Sequence, residues 1–432
     1  MKKLERRAFL CLLLAAALVL GMCFFTARLV KEGDDWASYY SNSHVFKDGK
    51  LAVGAVYDRN GLLLLNNDEE GQHFHEDAGI RRANLHVTGD KAYNIVSGAN
   101  SAFRSEMIGY NFVTGTKGIL FGSGRSTTLT VDAHLNLAAY EALAGRKGLV
   151  CVYNWKTGEI LSMVSSPTYD PESDWETANA QTGAYMNKSL SATMTPGSIF
   201  KLVTTAAVLE TVPNLDEWSF TCTGKYEING EYVTCTRSHG TVDLAGALAH
   251  SCNCAYGALT LEVGEDTMEK YVKKLGLTSS YDINGITSKK GSFDFDTESI
   301  NLAWAGIGQY EDQVNPISML VYVGAIAGGG TAAEPVLLEG EEGKQVTLLD
   351  SETAATLQEM MRNTVVTEYG DSRFPGLEVS AKTGTAEVGS GSKNGWFTGY
   401  CGDYAFIVCV ENGGAGINSA APVANKVLQE LM

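Results

Sequence analysis

Thr195-Pro196-Gly197-Ser198-Ile199-Phe200-Lys201 reads as a tight turn running into a helix. Pro196 and Gly197 supply the turn, and from Ile199 to Glu210 no residue breaks a helical pattern. Ser198 therefore falls at a helix N-terminus, with Lys201 one turn further along the same face. That pairing suits nucleophilic catalysis. A serine hydroxyl is a poor nucleophile until a nearby base takes its proton, and a desolvated lysine can be neutral enough to do so. The helix N-terminus adds backbone N–H groups where an oxyanion would form. Ser-x-x-Lys is weak by itself, because Ser390-Gly391-Ser392-Lys393 repeats it. That second copy lies in a Gly/Ser stretch with no helix behind it and reads as a surface loop.

Two downstream motifs supply context. Ser251-Cys252-Asn253 sits between the apolar stretch Val242 to His250 and a helical run from Ala255 to Glu262. A loop between helices can aim Ser251 and Asn253 at one pocket, Ser251 to relay a proton to a leaving amine and Asn253 to hold a substrate amide. The plainer reading of both is helix capping. Lys382-Thr383-Gly384-Thr385 ends a strand-like run. Lys382 offers a fixed positive charge, Thr383 and Thr385 offer hydroxyls to a carboxylate, and Gly384 leaves room for a substrate backbone. Lys382 and Thr383 point to opposite faces unless the strand is an edge lining a cleft. Lys156-Thr157-Gly158 is a second copy of this motif, marked as a hairpin turn by its flanking strands.

The first residues bear on the compartment. Lys2, Lys3, Arg6 and Arg7 precede an uncharged, Leu- and Ala-rich run from Ala8 to Ala27, long enough to cross a bilayer as a helix. The basic flank puts the N-terminus in the cytoplasm and the body outside. A cleaved signal peptide is the alternative; the length of the run and the absence of a clean small-x-small exit favour an anchor. Glu32 to Tyr40 reads as a polar stalk. At 432 residues with 44% hydrophobic and 19% charged residues, the chain suits two folded domains. Its net charge of -17 repels phosphate backbones, so nucleic acid is not an expected partner. Cys222 and Cys235 flank a turn at Asn229-Gly230 and are open to bridging across a hairpin. With no CxxC pair, no metal site is expected.

Asp58-Arg59-Asn60-Gly61 is a turn between short strands, and a small irregular α+β module extends to about residue 128. Asp132 caps a helix from His134 to Ala144. Strands follow at Leu149 to Tyr153 and Ile160 to Val164, then a long helical region, then strands at Leu377 to Lys382, Gly395 to Cys401 and Tyr404 to Val410, and a closing helix from Ala421 to Leu431. An early hairpin and late strands around a helical middle give an α+β class: one mainly antiparallel sheet flanked by helices.

The order Ser-x-x-Lys, Ser-x-Asn, Lys-Thr-Gly resembles that of penicillin-binding proteins and class A β-lactamases. The wider chain resembles a class B penicillin-binding protein. Asp58 to Gly61, Arg82 to Gly89 with His86, Thr128 to Asp132, Gly158 to Leu161, Ser166 to Pro171, Asn187, His239 to Leu244, Gly306 to Gln309 and Trp396-Phe397 all fit. Cys252 departs from the Asp usual in β-lactamases, and Lys188 stands where the group often has Arg. The stretch from 28 to 128 is too short for a separate glycosyltransferase domain.

The resemblance implies a cytoplasmic tail (1–7), a transmembrane anchor (8–27), a non-catalytic pedestal- or dimerisation-like module (28–128) and a penicillin-binding transpeptidase domain (129–432). It implies Ser198, Lys201 and Ser251 as catalytic groups, and Asn253, Lys382, Thr383, Gly384 and Thr385 as substrate contacts. Backbone N–H groups of Ser198 and Thr385 would form the oxyanion hole. Peptidoglycan stem peptides on the lipid-linked precursor polymer and β-lactams are the implied ligands. A SEDS-type membrane glycosyltransferase is the implied partner, and no cofactor is implied. The alternatives are a D,D-carboxypeptidase or endopeptidase, with water as acceptor, and a non-catalytic β-lactam sensor or cell-wall scaffold.

Overall fold

Strands far apart in the chain, from residues 148–166 and 380–410, meet in one sheet. The structure, a computed structural model, describes residues 2–38, 54–68, 71–108, 125–172, 181–389 and 391–432. Within it, β1 (Gly148–Asn154), β2 (Ile160–Ser166), β3 (Ser380–Val388), β4 (Ser392–Cys401) and β5 (Tyr404–Val410) lie in the order β3-β4-β5-β1-β2, antiparallel throughout. Helices α1 (Ala133–Leu143), α4 (Pro316–Ala327) and α5 (Ala421–Leu431) pack on it, while α2 (Lys201–Thr211) and α3 (Asn253–Val263) pack on each other.

Side chains alternate across each strand, so the apolar runs serve two layers. Val150, Val152, Val408 and Val410 pack with Leu135 and Ala139 of α1 and Val427 and Leu428 of α5. Leu149, Cys151, Ile407 and Cys409 belong to the cluster on the other face, with α4. Coverage on both faces explains why these strands read as nearly continuous apolar runs. Beyond α4 lies α2, whose Leu202 carbonyl accepts the Tyr322 hydroxyl at 2.8 Å.

The hairpin turn expected at Asp58 to Gly61 is present, within a four-stranded sheet of Val56–Tyr57, Leu63–Asp68, Gly71–Phe74 and Thr127–Thr128. The buried Asp58 carboxylate accepts the N–H groups of Asn60 and Leu62, at 2.9 and 2.7 Å, and that of Ala133 at the start of α1, at 3.1 Å. Asn136 Nδ2 donates to Asn84 Oδ1 at 2.7 Å, and Arg81 forks onto Asp170 at 2.7 and 2.6 Å. Val56, Leu64, Leu65 and Ile80 share one apolar cluster with Leu149 and Met163. Residue 128 is therefore a landmark in the chain and not a gap in the packing.

Three other expectations change. The N-terminal helix runs unbroken from Lys2 to Ser38, so the segment read as a stalk from Glu32 is helical as far as it is described; Tyr39 and Tyr40 lie outside the described residues. Lys2–Gly33 is long and apolar enough to cross a membrane. The helical middle also carries small ribbons, Phe220–Cys222 with Gly240–Val242 and Lys225–Ile228 with Glu231–Thr234. The second turns at Asn229-Gly230, where φ is positive at both residues, 53° and 92°. Cys222 and Cys235 are not bridged; both are free thiols.

Candidate active site

Gly197–Phe200 forms one 3₁₀ turn that runs directly into α2, so Ser198 sits just ahead of the helix, as its sequence requires. The turn is clamped. Gly197 N donates to Gly308 O at 2.8 Å, Trp396 Nε1 to Thr195 O at 3.0 Å, and Gln313 Nε2 to Thr195 Oγ1 at 2.9 Å. Gly197 has φ +57°, and a Cβ there would lie 2.7 Å from the Thr385 carbonyl oxygen. Only glycine brings the Ser198 backbone this close to β3.

Lys201 is fully buried. Its ammonium donates to Ser251 O at 2.7 Å, Ser251 Oγ at 3.1 Å and Asn253 Oδ1 at 2.8 Å, and lies 5.4 Å from the centre of the Tyr256 ring. Ser251 occupies the corner between the helix Leu244–Ala249 and α3, with φ +53°, a conformation costly for a residue with a Cβ. The capping question resolves to neither predicted residue: the Cys252 side chain caps α3 by accepting from Ala255 N. Asn253 Nδ2 donates to Thr234 O at 2.9 Å, which turns Oδ1 toward Lys201.

On the sheet edge, β3 alternates as a strand must. Lys382, Gly384 and Ala386 are buried, while Thr383, Thr385 and Glu387 line the cleft. Lys382 nevertheless reaches the site from beneath. Its ammonium donates to Ser251 Oγ at 3.1 Å and Thr383 O at 3.1 Å, and lies 3.5 Å from the Tyr369 hydroxyl. Thr383 N–H points away from the sheet, to the Tyr369 hydroxyl at 2.9 Å. Thr385, two residues on, directs its N–H to the same free edge, where the Gly197–Ser198 turn lies. Gly384 has a role that the sequence reading did not include. A Cβ there would meet Ile199 Cγ2, Pro196 O and Trp396 Cβ, each at 3.0 Å, so this glycine also makes room for the Ser198 turn.

Two buried ammonium groups that share one hydroxyl disfavour each other's charge. Burial lowers Lys201 to about 7, against an opposing pull from the Cys235, Cys252 and Cys254 thiols. Burial, and then the charge of Lys201, hold Lys382 well below its usual range. A neutral amine is therefore available near neutral pH beside the hydroxyl cluster.

Ser198, Ser251, Asn253, Thr383 and Thr385 line one cleft of about 530 Å³. Sequence reasoning passed over Tyr369 and Trp304, and placed Gln309 in a family stretch without a role at the site. Trp304 and Gln309 share this cleft, and Tyr369 braces its Thr383 wall. Of the second Ser-x-x-Lys copy, Ser390 lies outside the described residues. Lys393 stands in β4 rather than in a loop, at the cleft rim, 2.7 Å from Glu387.

A family profile described as "Penicillin binding protein transpeptidase domain" matches residues 148–429. The peptidoglycan D,D-transpeptidase PbpA of Mycolicibacterium smegmatis is 25% identical over 354 residues, 71% of this chain and 72% of that protein. Among solved structures, a D,D-transpeptidase domain of a peptidoglycan glycosyltransferase from Eggerthella lenta aligns with a TM-score of 0.74 at 25% identity, covering 88% of this chain and 97% of that one. Penicillin-binding protein A of M. tuberculosis, solved as a ceftriaxone acyl-enzyme complex, aligns with a TM-score of 0.73 at 22% identity, covering 87% and 97%. The last comparison speaks to the fold.

Proposed function

From the premise that this chain belongs to the penicillin-binding protein transpeptidase family, we propose how its residues carry the reaction. It is a peptidoglycan D,D-transpeptidase, a serine acyltransferase that β-lactams acylate. The donor is a stem peptide, whose terminal carboxylate rests on the Thr383 and Thr385 hydroxyls. Lys201, neutral, takes the Ser198 proton as Oγ attacks the carbonyl carbon of the penultimate D-Ala. The N–H groups of Ser198 and Thr385 stabilise the oxyanion. Ser251 passes a proton to the departing terminal D-Ala, drawing on Lys201, while Lys382 supports Ser251 electrostatically. Asn253 holds the substrate amide as well as Lys201. The amine of a neighbouring stem peptide then attacks the acyl-enzyme, forms the cross-link and frees Ser198.

The observation that carries this reading is the Ser251 hydroxyl, held by Lys201 and Lys382 at 3.1 Å each beside the cleft that Ser198 lines. Incubation with a fluorescent penicillin, followed by peptide mapping, tests it; the adduct belongs on Ser198, and an adduct elsewhere overturns the assignment. Residues 129–432 form the catalytic domain in this reading, and 28–128 its non-catalytic support. The apolar Lys2–Gly33 helix supports single-pass anchoring, with the basic residues of its first two turns inside and the body outside. Pairing with a SEDS-type glycosyltransferase rests on the family resemblance, and co-purification from membranes tests it.

A further inference from the structure

Cys252, the middle residue of the Ser251–Asn253 turn, belongs to a second cluster. Cys222 ends the strand Phe220–Cys222, Cys235 follows the strand Glu231–Thr234, and His239 precedes the strand Gly240–Val242. With Cys252 they present one ligand atom each, no two more than 4.8 Å apart. Cys222 Sγ lies 3.5 Å from His239 Nδ1, and Cys235 Sγ lies 3.7 Å from Cys252 Sγ. A tetrahedral zinc ion, with Zn–S near 2.3 Å and Zn–N near 2.05 Å, requires ligand-to-ligand edges of about 3.6 Å (S to N) and about 3.8 Å (S to S). The two measured edges match that polyhedron.

Backbone donors are aimed at two of the sulfurs. Cys254 N–H points at Cys235 Sγ, 3.3 Å away, and Ala255 N–H at Cys252 Sγ, 3.5 Å away. Such donors orient and stabilise metal-bound sulfur. The His239 ring is braced by stacking on His250, centroids 5.6 Å apart and planes 3° from parallel. A fourth thiol, Cys254, lies 3.4 Å from Cys235 but outside the four-group set.

We propose that Cys222, Cys235, His239 and Cys252 bind one tetrahedral divalent cation of the zinc type, which holds the Ser251–Asn253 turn in place. Four protein ligands leave no open position, so the ion's role is structural. It ties the Lys225–Thr234 ribbon to the turn, alongside the Asn253-to-Thr234 hydrogen bond. The positive φ of Ser251 needs this kind of external constraint. The spacing Cys-x12-Cys-x3-His-x12-Cys contains no CxxC pair, so the sequence does not mark it as a metal site. Metal binding stands on these four residues alone; its effect on acylation rests on the acyl-serine reading above.

The test uses the full chain, purified in detergent without chelator. Elemental analysis is expected to find about one zinc per chain. Cobalt(II) exchange is expected to give thiolate-to-cobalt charge transfer and a tetrahedral visible band. Cys222→Ser and His239→Ala are expected to lose the metal, and Cys409→Ser to keep it. Because the first two variants can also misfold, the wild-type chain is stripped with a chelator and refilled; penicillin labelling is expected to fall at least tenfold and return. Absence of zinc, with the three thiols open to alkylation or with a Cys235–Cys252 disulfide in non-reducing peptide maps, overturns the site. Stoichiometric zinc whose removal leaves labelling unchanged overturns its hold on the turn. Failure of the zinc-loaded chain to label at Ser198 overturns the acyl-serine reading, while metal stoichiometry still reports on the site.

Discussion

Lys201 and Lys382, 181 positions apart in the chain, donate to the same acceptor, the Ser251 hydroxyl, at 3.1 Å each. One comes from the helix behind Ser198 and the other from the sheet edge, so Ser251 is where the two halves of the cleft report to each other. In the proposed reaction this joins the base and its electrostatic support through one proton-carrying group.

Ser198→Ala is expected to abolish covalent labelling by fluorescent penicillin while the melting temperature stays within about 2 °C, since the side chain is only half-buried and loses one oxygen. Lys201→Ala is expected to lose labelling as well, and Lys393→Ala to change it less than about threefold, because Lys393 pairs with Glu387 at an exposed rim. Equal loss from both lysine variants would show that the rim lysine had been misread.

The acylation rate is expected to rise with pH. Lys201 must be neutral to accept the Ser198 proton, and its folded value lies near 7, lowered by burial. The neutral fraction then grows roughly tenfold from pH 6 to pH 8 and levels off above. Second-order rate constants for penicillin acylation across that range check this; a flat profile would remove Lys201 as the base.

Tyr369→Phe keeps the ring that packs edge-on against Phe397 but deletes the hydroxyl serving Thr383 N–H and Oγ1, each at 2.9 Å. The Thr383 N–H would lose its partner at the strand edge, costing about 1–2 kcal/mol. The expected outcome is a roughly 5- to 30-fold slower acylation, measured alongside thermal melting. A melting shift with an unchanged rate would make Tyr369 a purely structural residue.

His86 is buried and held near 4, chiefly by desolvation, with Nε2 2.9 Å from the Ala184 carbonyl. Its folded value lies below its unfolded one, so the unfolded chain binds more protons between about pH 4 and 6.5, and acidification through that window destabilises the fold. The contribution is about 2 kcal/mol at pH 5 relative to neutral pH. Urea melts at pH 7 and pH 5 should show it, and His86→Gln should flatten the difference; an unchanged pH dependence in that variant would assign the effect elsewhere.

Much of this was legible from local sequence. Tyr404–Val410 and Ala421–Leu431 form a strand and a helix over the residues the apolar patterns mark, and Asp132 caps α1. Lys201, Ser251, Asn253 and Lys382 converge because each sits on a recognisable motif. Tyr369 was not legible, since nothing about a tyrosine at the end of a helix says that its hydroxyl will meet a strand edge. Gly384 was visible as a glycine, but the atoms that crowd it come from Pro196, Ile199 and Trp396, far away in the chain. The Cys222, Cys235, His239 and Cys252 cluster was hidden for the same reason: the sequence marks the Asn229-Gly230 turn but not the pairing that brings His239 and Cys252 to it.

The Asp58 carboxylate, which receives the first amide of α1, makes the early strands part of the mechanical frame of the enzyme. Force applied by any protein gripping the strand Leu63–Asp68 is carried through the Asp58 turn and α1 into the scaffold of β1 and β2. The orientation of the cleft toward its substrate is then set by whatever holds that foot.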